Sequence, residues 1–416
     1  MKKIETDIAV IGAGPAGAAA SLFLAKKGIK HVIFDKAEFP RDKICGDGLS
    51  GKVVALFNEL DENIVKDMDK DDNFLDSWGV RFVAPNGKGF EIPFSIEGRE
   101  SGRVPGYTAK RIDFDNFLAH RLNGQYTSFY RKWDAKKIVY SNTNDGVSIY
   151  LQNETEEMIC ECRVVVGAEG DRSITAKKFA GYRMQPRHYF AGLRAYYTNV
   201  GGLHQDNFIE LHFIPEALPG YFWVFPLSHN QANVGLGVLS SDVRSKKLNL
   251  REIFNNAITK NDELKHRFKD AEIVDKLKGW GLPLGSMKMK RSGDRFLLAG
   301  DAGSLVDPFT GEGIGNALLS GKLAAQTLEN ALQKNDFSAK SLKQYDKLLA
   351  KEMYDEIKLS HRIQRLVKFP WLFNFVINRV EGNPAWQDTF SSMFNDLDMR
   401  AKLRSPGFYL RLLRKK

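Results

Sequence analysis

The chain has 416 residues, 43% hydrophobic and 27% charged, with three cysteines; this suits about two to three globular domains and excludes wholesale disorder, collagen-like repeats and a disulfide scaffold. A formal net charge of +10 points first to nucleic acid, but Lys402, Arg404, Arg411, Arg414, Lys415 and Lys416 stand together in the last sixteen residues with no acid among them, so the body is only mildly basic and no nucleic-acid partner is expected. Cys45, Cys160 and Cys162 lack C-x-x-C and zinc-finger spacing, and no signal-peptide pattern or run of 18 apolar residues occurs, so the expectation is a cytoplasmic protein in a reducing compartment, without a spanning helix.

In chain order, residues 4 to 11 (IETDIAVI) read as a strand, G-A-G-P-A-G-A-A-A opens a helix through about Lys27, and HVIFD at 31 to 35 reads as a second strand. The turn carries G-x-G-x-x-G as Gly12, Gly14 and Gly17. Gly12 permits the tight turn, Gly14 lets backbone approach a pyrophosphate, and Gly17 lets the helix lie close on the sheet. Pro15 suits the first helical turn, where its missing N–H costs nothing. The helix N-terminus supplies amides and a partial positive charge to an anion. Asp35 ends the second strand, placed to accept hydrogen bonds from a ribose diol, so an adenine dinucleotide with a free 2′-hydroxyl, FAD or NAD, is implied.

Three later segments separate FAD from NAD. R-I-D-F-D-N-F-L begins a helix with Arg111 at its entrance, V-V-V-G-A-E-G-D-R-S follows near 164, and F-L-L-A-G-D-A-G-S-L-V-D-P-F-T-G-E-G-I begins near 296. The last reads as a buried strand ending in Asp301, a Gly/Pro-rich turn, and a small-residue helix from about Gly313. A carboxylate at a strand end can take a sugar-alcohol hydroxyl, and a helix N-terminus aimed at the flavin pyrimidine edge favours the charge that reduction puts there. NAD has no ribityl chain, so FAD is the expected cofactor. Between 181 and 280, alternation in GLRAYYTNV, FIELHFI, YFWVFPL and ANVGLGVL predicts an antiparallel sheet able to roof a flavin. Tyr221, Trp223 and Phe225 fall on one face of a strand, either as the wall of an apolar substrate site or as core under a helix. Gly235 and Gly237 permit close backbone approach. Cys160 and Cys162 share a strand face and read as packing residues. The eight histidines show no ligand spacing, so no metal is expected.

These segments together resemble the FAD-dependent oxidoreductases of the glutathione-reductase-like fold, p-hydroxybenzoate hydroxylase branch, and within them the geranylgeranyl reductase family. The resemblance spans residues 4 to 330 through G-A-G-P-A-G (12 to 17), P-R-D-K-I-C-G-D-G-L-S (40 to 50), R-I-D-F-D-N-F-L (111 to 118), G-A-E-G-D-R-S (167 to 173), L-P-G-Y-F-W-V-F-P (218 to 226) and A-G-D-A-G…P-F-T-G-E-G-I (299 to 314). The family's P-x-x-Y-x-W-x-F-P is met at Tyr221, Trp223, Phe225 and Pro226, but Leu218 stands where it begins with proline, and Glu169 replaces the usual Asp of G-A-D-G. The implied fold is α/β: a doubly wound, Rossmann-like FAD domain (1–78, 108–178 and 277–330), an inserted antiparallel-sheet substrate domain (79–107 and 179–276) and a C-terminal helical region (331–416). Candidate cofactor contacts are Gly12, Gly14, Pro15, Ala16, Gly17, Asp35, Lys36, Arg41, Cys45, Gly46, Arg111, Ala168, Gly170, Gly300, Asp301, Pro308, Gly311, Gly313 and Ile314.

The implied activity is flavin-dependent reduction of carbon–carbon double bonds in an isoprenoid chain or polyprenyl-lipid tail. With one dinucleotide fingerprint, reducing equivalents come from transient NAD(P)H, ferredoxin or a quinol. The resemblance puts Cys45 on the substrate side of the flavin, where a thiol beside a basic residue either donates a proton or shapes the pocket. Aromatic hydroxylases and halogenases share this scaffold and are the alternative, although W-x-W-x-I-P is replaced here by Y-F-W-V-F-P; a third reading is a docking flavoprotein without turnover. KFPWLFNFVINRV (368 to 380) and the basic tail read either as a surface for anionic lipid, which would make the protein peripheral to the inner membrane face, or as a helix end packed on its own domain.

Overall fold

The structure is a computed structural model that describes residues 2–94, 103–141, 145–371, 374, 375 and 378. The basic tail at 401–416 lies outside the described residues.

The apolar run at the end of the first strand, Lys2–Ile11, is buried on both faces and forms the centre of a largely parallel sheet. Glu157–Gly167 and His31–Phe34 flank it in parallel, with Phe296–Leu298 and Thr127–Tyr130 beyond them. Alternate side chains leave on opposite faces. Ile8 and Val10 join a core closed by the helices Pro15–Lys26 and Ile314–Gln333; Ala9 and Ile11 join a second core under Val147–Gln152 and Asp134–Tyr140. The two helices nearly touch: a Cβ on Gly321 would lie 2.3 Å from the Ala16 carbonyl oxygen. Cys160 and Cys162 are buried in the second core as free thiols.

A second sheet lies over the mouth of the first. Its order is Glu272–Ile273, Tyr189–Thr198, Gln231–Leu239, Tyr221–Leu227, Ile209–His212, Gly79–Val83 and Gly89–Pro93. Most pairs are antiparallel as expected, but Ile209–His212 runs parallel to Gly79–Val83, where the early insertion joins the later strands. One face, with Phe222, Val224, Val234 and Leu236, packs on the helix Leu250–Lys260; the other presents Val80, Phe82, Leu211, Tyr221, Trp223 and Phe225 toward the FAD-domain side. Lys278–Pro283 also pairs with Tyr189–Thr198, so the chain returns to the parallel sheet only at Ser292, later than the expected 277, because this strand completes the roof before the crossing.

The C-terminal helical region, as Ala339–Leu349 and Asp355–Val367, packs directly on the FAD domain. Leu342, Tyr345, Leu349 and Ile357 are buried in the main core, and the Tyr345 hydroxyl donates to the Leu298 carbonyl at 2.9 Å. Their amphipathic faces finish the burial that the small-residue helix Ile314–Gln333 begins.

Candidate functional site

A cavity of about 1260 Å³ opens between the two sheets, larger than the about 300–1,000 Å³ of an ordinary small-molecule site. Every candidate cofactor residue except Gly17 and Pro308 lines it, as do Tyr221, Trp223 and Phe225. Gly17 lies beneath the turn, where a Cβ would sit 1.7 Å from the Gly12 carbonyl oxygen, so it permits the close packing and touches nothing in the cavity. Pro308 lies outside the cavity lining: it is buried, and its carbonyl accepts from Gln364 Nε2 at 2.6 Å.

The glycine turn has the form an anionic nucleotide requires. Gly12 sits at φ 96° and a Cβ there would lie 2.4 Å from the Ala168 oxygen. At Gly14 a Cβ would meet only Arg41 Nη2, at 3.5 Å, so backbone faces open space. Asp35 lies at the strand end; its two oxygens accept from the amides of Ala13 and Ala37 at 2.7 and 2.9 Å and hold the turn against the strand. Across the cavity Gly300 adopts φ 60°, Lys43 pairs with Asp301 at 3.5 Å, and Gly313 caps the helix Ile314–Gln333, whose N-terminus faces the same space. Glu169, the departure from the family pattern, accepts from Ser173 Oγ at 2.7 Å and the Thr175 amide at 3.0 Å, so it ties down the turn before the helix Ile174–Phe179.

The loop after the second strand is fixed by a buried ion cluster. Asp115 accepts from Arg111 Nε and Nη2 at 2.6 and 2.7 Å and from Arg41 Nη1 at 2.7 Å. Burial acts to lower the Arg111 pKa, but the Asp115 carboxylate and the Cys45 sulfur beside it hold the guanidinium above its usual value. Cys45 therefore lies next to a permanent cation and lines the cavity between the glycine turn and the aromatic wall. In that wall the Tyr221 hydroxyl donates to the Thr310 carbonyl, and Trp223 lies over Gly235, where a Cβ would come within 1.9 Å of the indole. It is the indole that Gly235 lets approach.

Several lining residues were not expected from sequence. Val80, Phe82, Phe94, Ile209 and Leu211 extend the cavity along the roof as an apolar arm. Asn233 and Asp47 form a buried polar pair behind Cys45. Asn233 was detectable in principle, since it shares the strand face of Gly235 and Gly237, and Asp47 stands two residues after Cys45.

A nucleotide cradle at the mouth of a parallel sheet, with a carboxylate at the end of each of two strands, defines a dinucleotide-binding flavoprotein, and the open space at Gly14 fits FAD. The family of the FAD binding domain matches residues 5–347. Digeranylgeranylglycerophospholipid reductase 1 of Methanothermobacter thermautotrophicus is 32% identical over 85% of this chain and 84% of its own length. Menaquinone reductase of Mycobacterium tuberculosis is 28% identical over 88% of this chain and 85% of its own. The chain thus belongs to the geranylgeranyl reductase family of FAD-binding proteins, and is an FAD-dependent oxidoreductase. The fold matches a geranylgeranyl bacteriochlorophyll reductase-like protein of Thermoplasma acidophilum, with a TM-score of 0.80 at 22% identity over 97% of this chain and 99% of that one. It also matches the flavin-dependent brominase Bmp2, with a TM-score of 0.79 at 20% identity over 99% and 100%. At these identities both likenesses concern the fold.

Gly14→Val places a branched side chain where the nucleotide must pass and is expected to abolish FAD binding, whereas Asp301→Ala is expected to weaken it by about 1–3 kcal/mol through a lost charged hydrogen bond. Flavin absorbance of the purified variants measures both, and full occupancy in both would contradict the cradle described here.

Proposed function

We propose that this protein reduces carbon–carbon double bonds in an isoprenoid chain or polyprenyl-lipid tail. The observation that carries the reading is the continuity of one cavity from the nucleotide cradle, past Cys45, into an arm lined by Val80, Phe82, Phe94, Ile209 and Leu211. An arm so apolar rewards burial of hydrocarbon at about 25 cal/mol per Å² and offers a polar ring substrate little to bond.

Bound FAD, once reduced by NAD(P)H, ferredoxin or a quinol, supplies the hydride. The chain's own residues do the rest. Tyr221, Trp223 and Phe225 hold the alkene flat against the cofactor side of the cavity and exclude water. Cys45 gives its thiol proton to the carbon opposite the one that takes hydride; the π bond is replaced by two C–H bonds, and the thiolate regains a proton from solvent. Arg111, fixed by Asp115, holds the thiolate's charge until then.

An oxygen-using hydroxylase or halogenase is the competing reading, favoured by the brominase fold alone. The names of the curated relatives favour reduction: one is a menaquinone reductase, the other a digeranylgeranylglycerophospholipid reductase.

A lipid tail must also be reached. No helix among the described residues is long and apolar enough to cross a membrane. The last described helix instead ends in an exposed apolar patch, with Leu366 and Trp371 53% and 70% exposed beside Arg365 and Lys368. This patch and the six cations of the tail support reversible docking on anionic lipid, each cation adding about 1 kcal/mol.

Two outcomes test the reading. Cys45→Ala is expected to leave FAD content and flavin reduction intact while slowing single-turnover reduction of a short prenyl alkene by about 10² to 10⁴-fold; an unchanged rate would reduce Cys45 to a packing residue. Deleting residues 401–416 is expected to abolish sedimentation with anionic vesicles at unchanged FAD content, and undiminished sedimentation would remove the membrane half of the proposal.

A further inference from the structure

The turn that carries Cys45 is joined to the aromatic wall by one side chain. Asn233, fully buried on the strand Gln231–Leu239, accepts from Trp223 Nε1 through Oδ1 at 2.8 Å. Through Nδ2 it donates to the Cys45 carbonyl at 2.7 Å and to Asp47 Oδ2 at 2.7 Å. The amide thus reads two opposite demands, and only one orientation satisfies them: acceptor toward the indole, donors toward the turn. Glutamine is too long for this buried site, and aspartate would have no donor.

Asp47 is the second half of the arrangement. It occupies the left-handed region at φ 66°, is fully buried, and lines the cavity. Its Oδ2 accepts from both Asn233 and the Tyr196 hydroxyl, the latter at 2.7 Å, while Oδ1 has no partner among the described residues. A buried carboxylate oxygen without a partner is a place for a proton. The charged groups around Asp47 are Arg194, stacked on the Tyr196 ring at 3.9 Å and itself paired with Asp42 and Asp275 at 3.2 and 3.0 Å, Lys110 at 5.1 Å from the same ring, and Arg111 beyond Cys45. Burial raises the Asp47 pKa to about 6, and Arg194, Arg111 and the two donors oppose the rise without cancelling it.

We propose that Asn233 and Asp47 are positioning residues: the Asn233 amide locks the Cys45 turn to the Trp223 wall, and the charge on Asp47 sets how firmly the lock holds. With Asp47 ionised, its hydrogen bonds from Asn233 and Tyr196 are charge-assisted and the amide is pinned. With Asp47 protonated on Oδ1, the same bonds are neutral and weaker, and the turn gains freedom. Thiol and wall would therefore keep their spacing best above about pH 6, where Asp47 is ionised. The proposal deepens the reading of Cys45 as the residue beside the reacting carbon, but its test needs no alkene, so either can fail without the other.

The fold carries a matching signature. Because the folded pKa, about 6, lies above the ordinary 3.8, the folded state binds the proton more tightly between those values, and stability falls as pH rises through the window. The cost of the buried charge is fully present above about pH 6, so Asp47→Asn is expected to raise Tm more at pH 8 than at pH 5 relative to wild type.

The test is iodoacetamide alkylation of Cys45 in the FAD-loaded protein from pH 5 to 8, read by peptide mass; Cys160 and Cys162 are buried and serve as the internal control. Dividing the wild-type rate by that of Asp47→Asn removes the rise that thiolate formation imposes on any thiol. The expected ratio is near one at pH 5 and falls at least threefold in a step centred near pH 6. Asn233→Ala, at unchanged FAD content, is expected to alkylate at least tenfold faster than wild type at pH 7.5. A ratio flat across the range, or an Asp47→Asn protein no more stabilised at pH 8 than at pH 5, would overturn the role of the Asp47 charge. Wild-type alkylation in folded Asn233→Ala would overturn the lock.

Discussion

A carboxylate with no exposed surface must be paired or neutral, and Asp115 is paired twice. Its bidentate bond from Arg111 closes one turn of the helix Arg111–His120, and its bond from Arg41 reaches out to the loop that follows the second strand. Only the loss of both guanidinium groups would leave this carboxylate unpaired in a fully buried place, the situation that costs about 3–5 kcal/mol when a buried pair is broken. That constraint holds the loop at 40–50 between the two sheets. The loop in turn places Cys45 beside Arg111 and carries Gly46 and Gly48 against the Phe225 ring, where a Cβ would come within 3.2 and 3.3 Å. The buried ion cluster thus fixes the loop, and through it the place of the thiol and the contact with Phe225.

Two sheets of different character then divide the work. The parallel sheet ends in a glycine turn and two helix N-termini, a surface of backbone dipoles that suits phosphates and a charged ring edge. The roof alternates, sending Phe222 and Val224 to its own helix and Tyr221, Trp223 and Phe225 to the cavity. The cavity has one polar and one apolar side because its polar groups come mainly from one sheet and its apolar groups from the other.

The cofactor side was the most legible part of the sequence because its constraints are local. Gly12, Gly14, Gly17 and Asp35 are separated by fixed steps along one strand, turn and helix, and backbone geometry alone assigns their jobs. The aromatic triplet was legible through its period of two, though not which face it would meet. What stayed hidden depends on contacts between distant segments. Asn233 shares a strand face with Gly235 and Gly237, but its contact with the Cys45 carbonyl, 188 positions away, depends on how two distant segments pack. Val80 and Phe82 join Leu211 through a parallel pair of strands, a register that turn and length signals do not encode. Pro308 falls in a motif beside true lining residues, yet lies outside the cavity lining. The C-terminal region is expected only as helical, while the core that Leu342 and Tyr345 complete is built by segments near both ends of the chain.

The central claim is that hydrocarbon unsaturation, and not oxygen, receives the electrons. The direct measurement is mass spectrometry of a lipid bearing a geranylgeranyl chain after anaerobic incubation with the reduced holoenzyme. Reduction predicts products heavier by two hydrogens for each double bond consumed. Unchanged lipid under these conditions, together with a product that gains oxygen or halogen once air is admitted, would contradict the account.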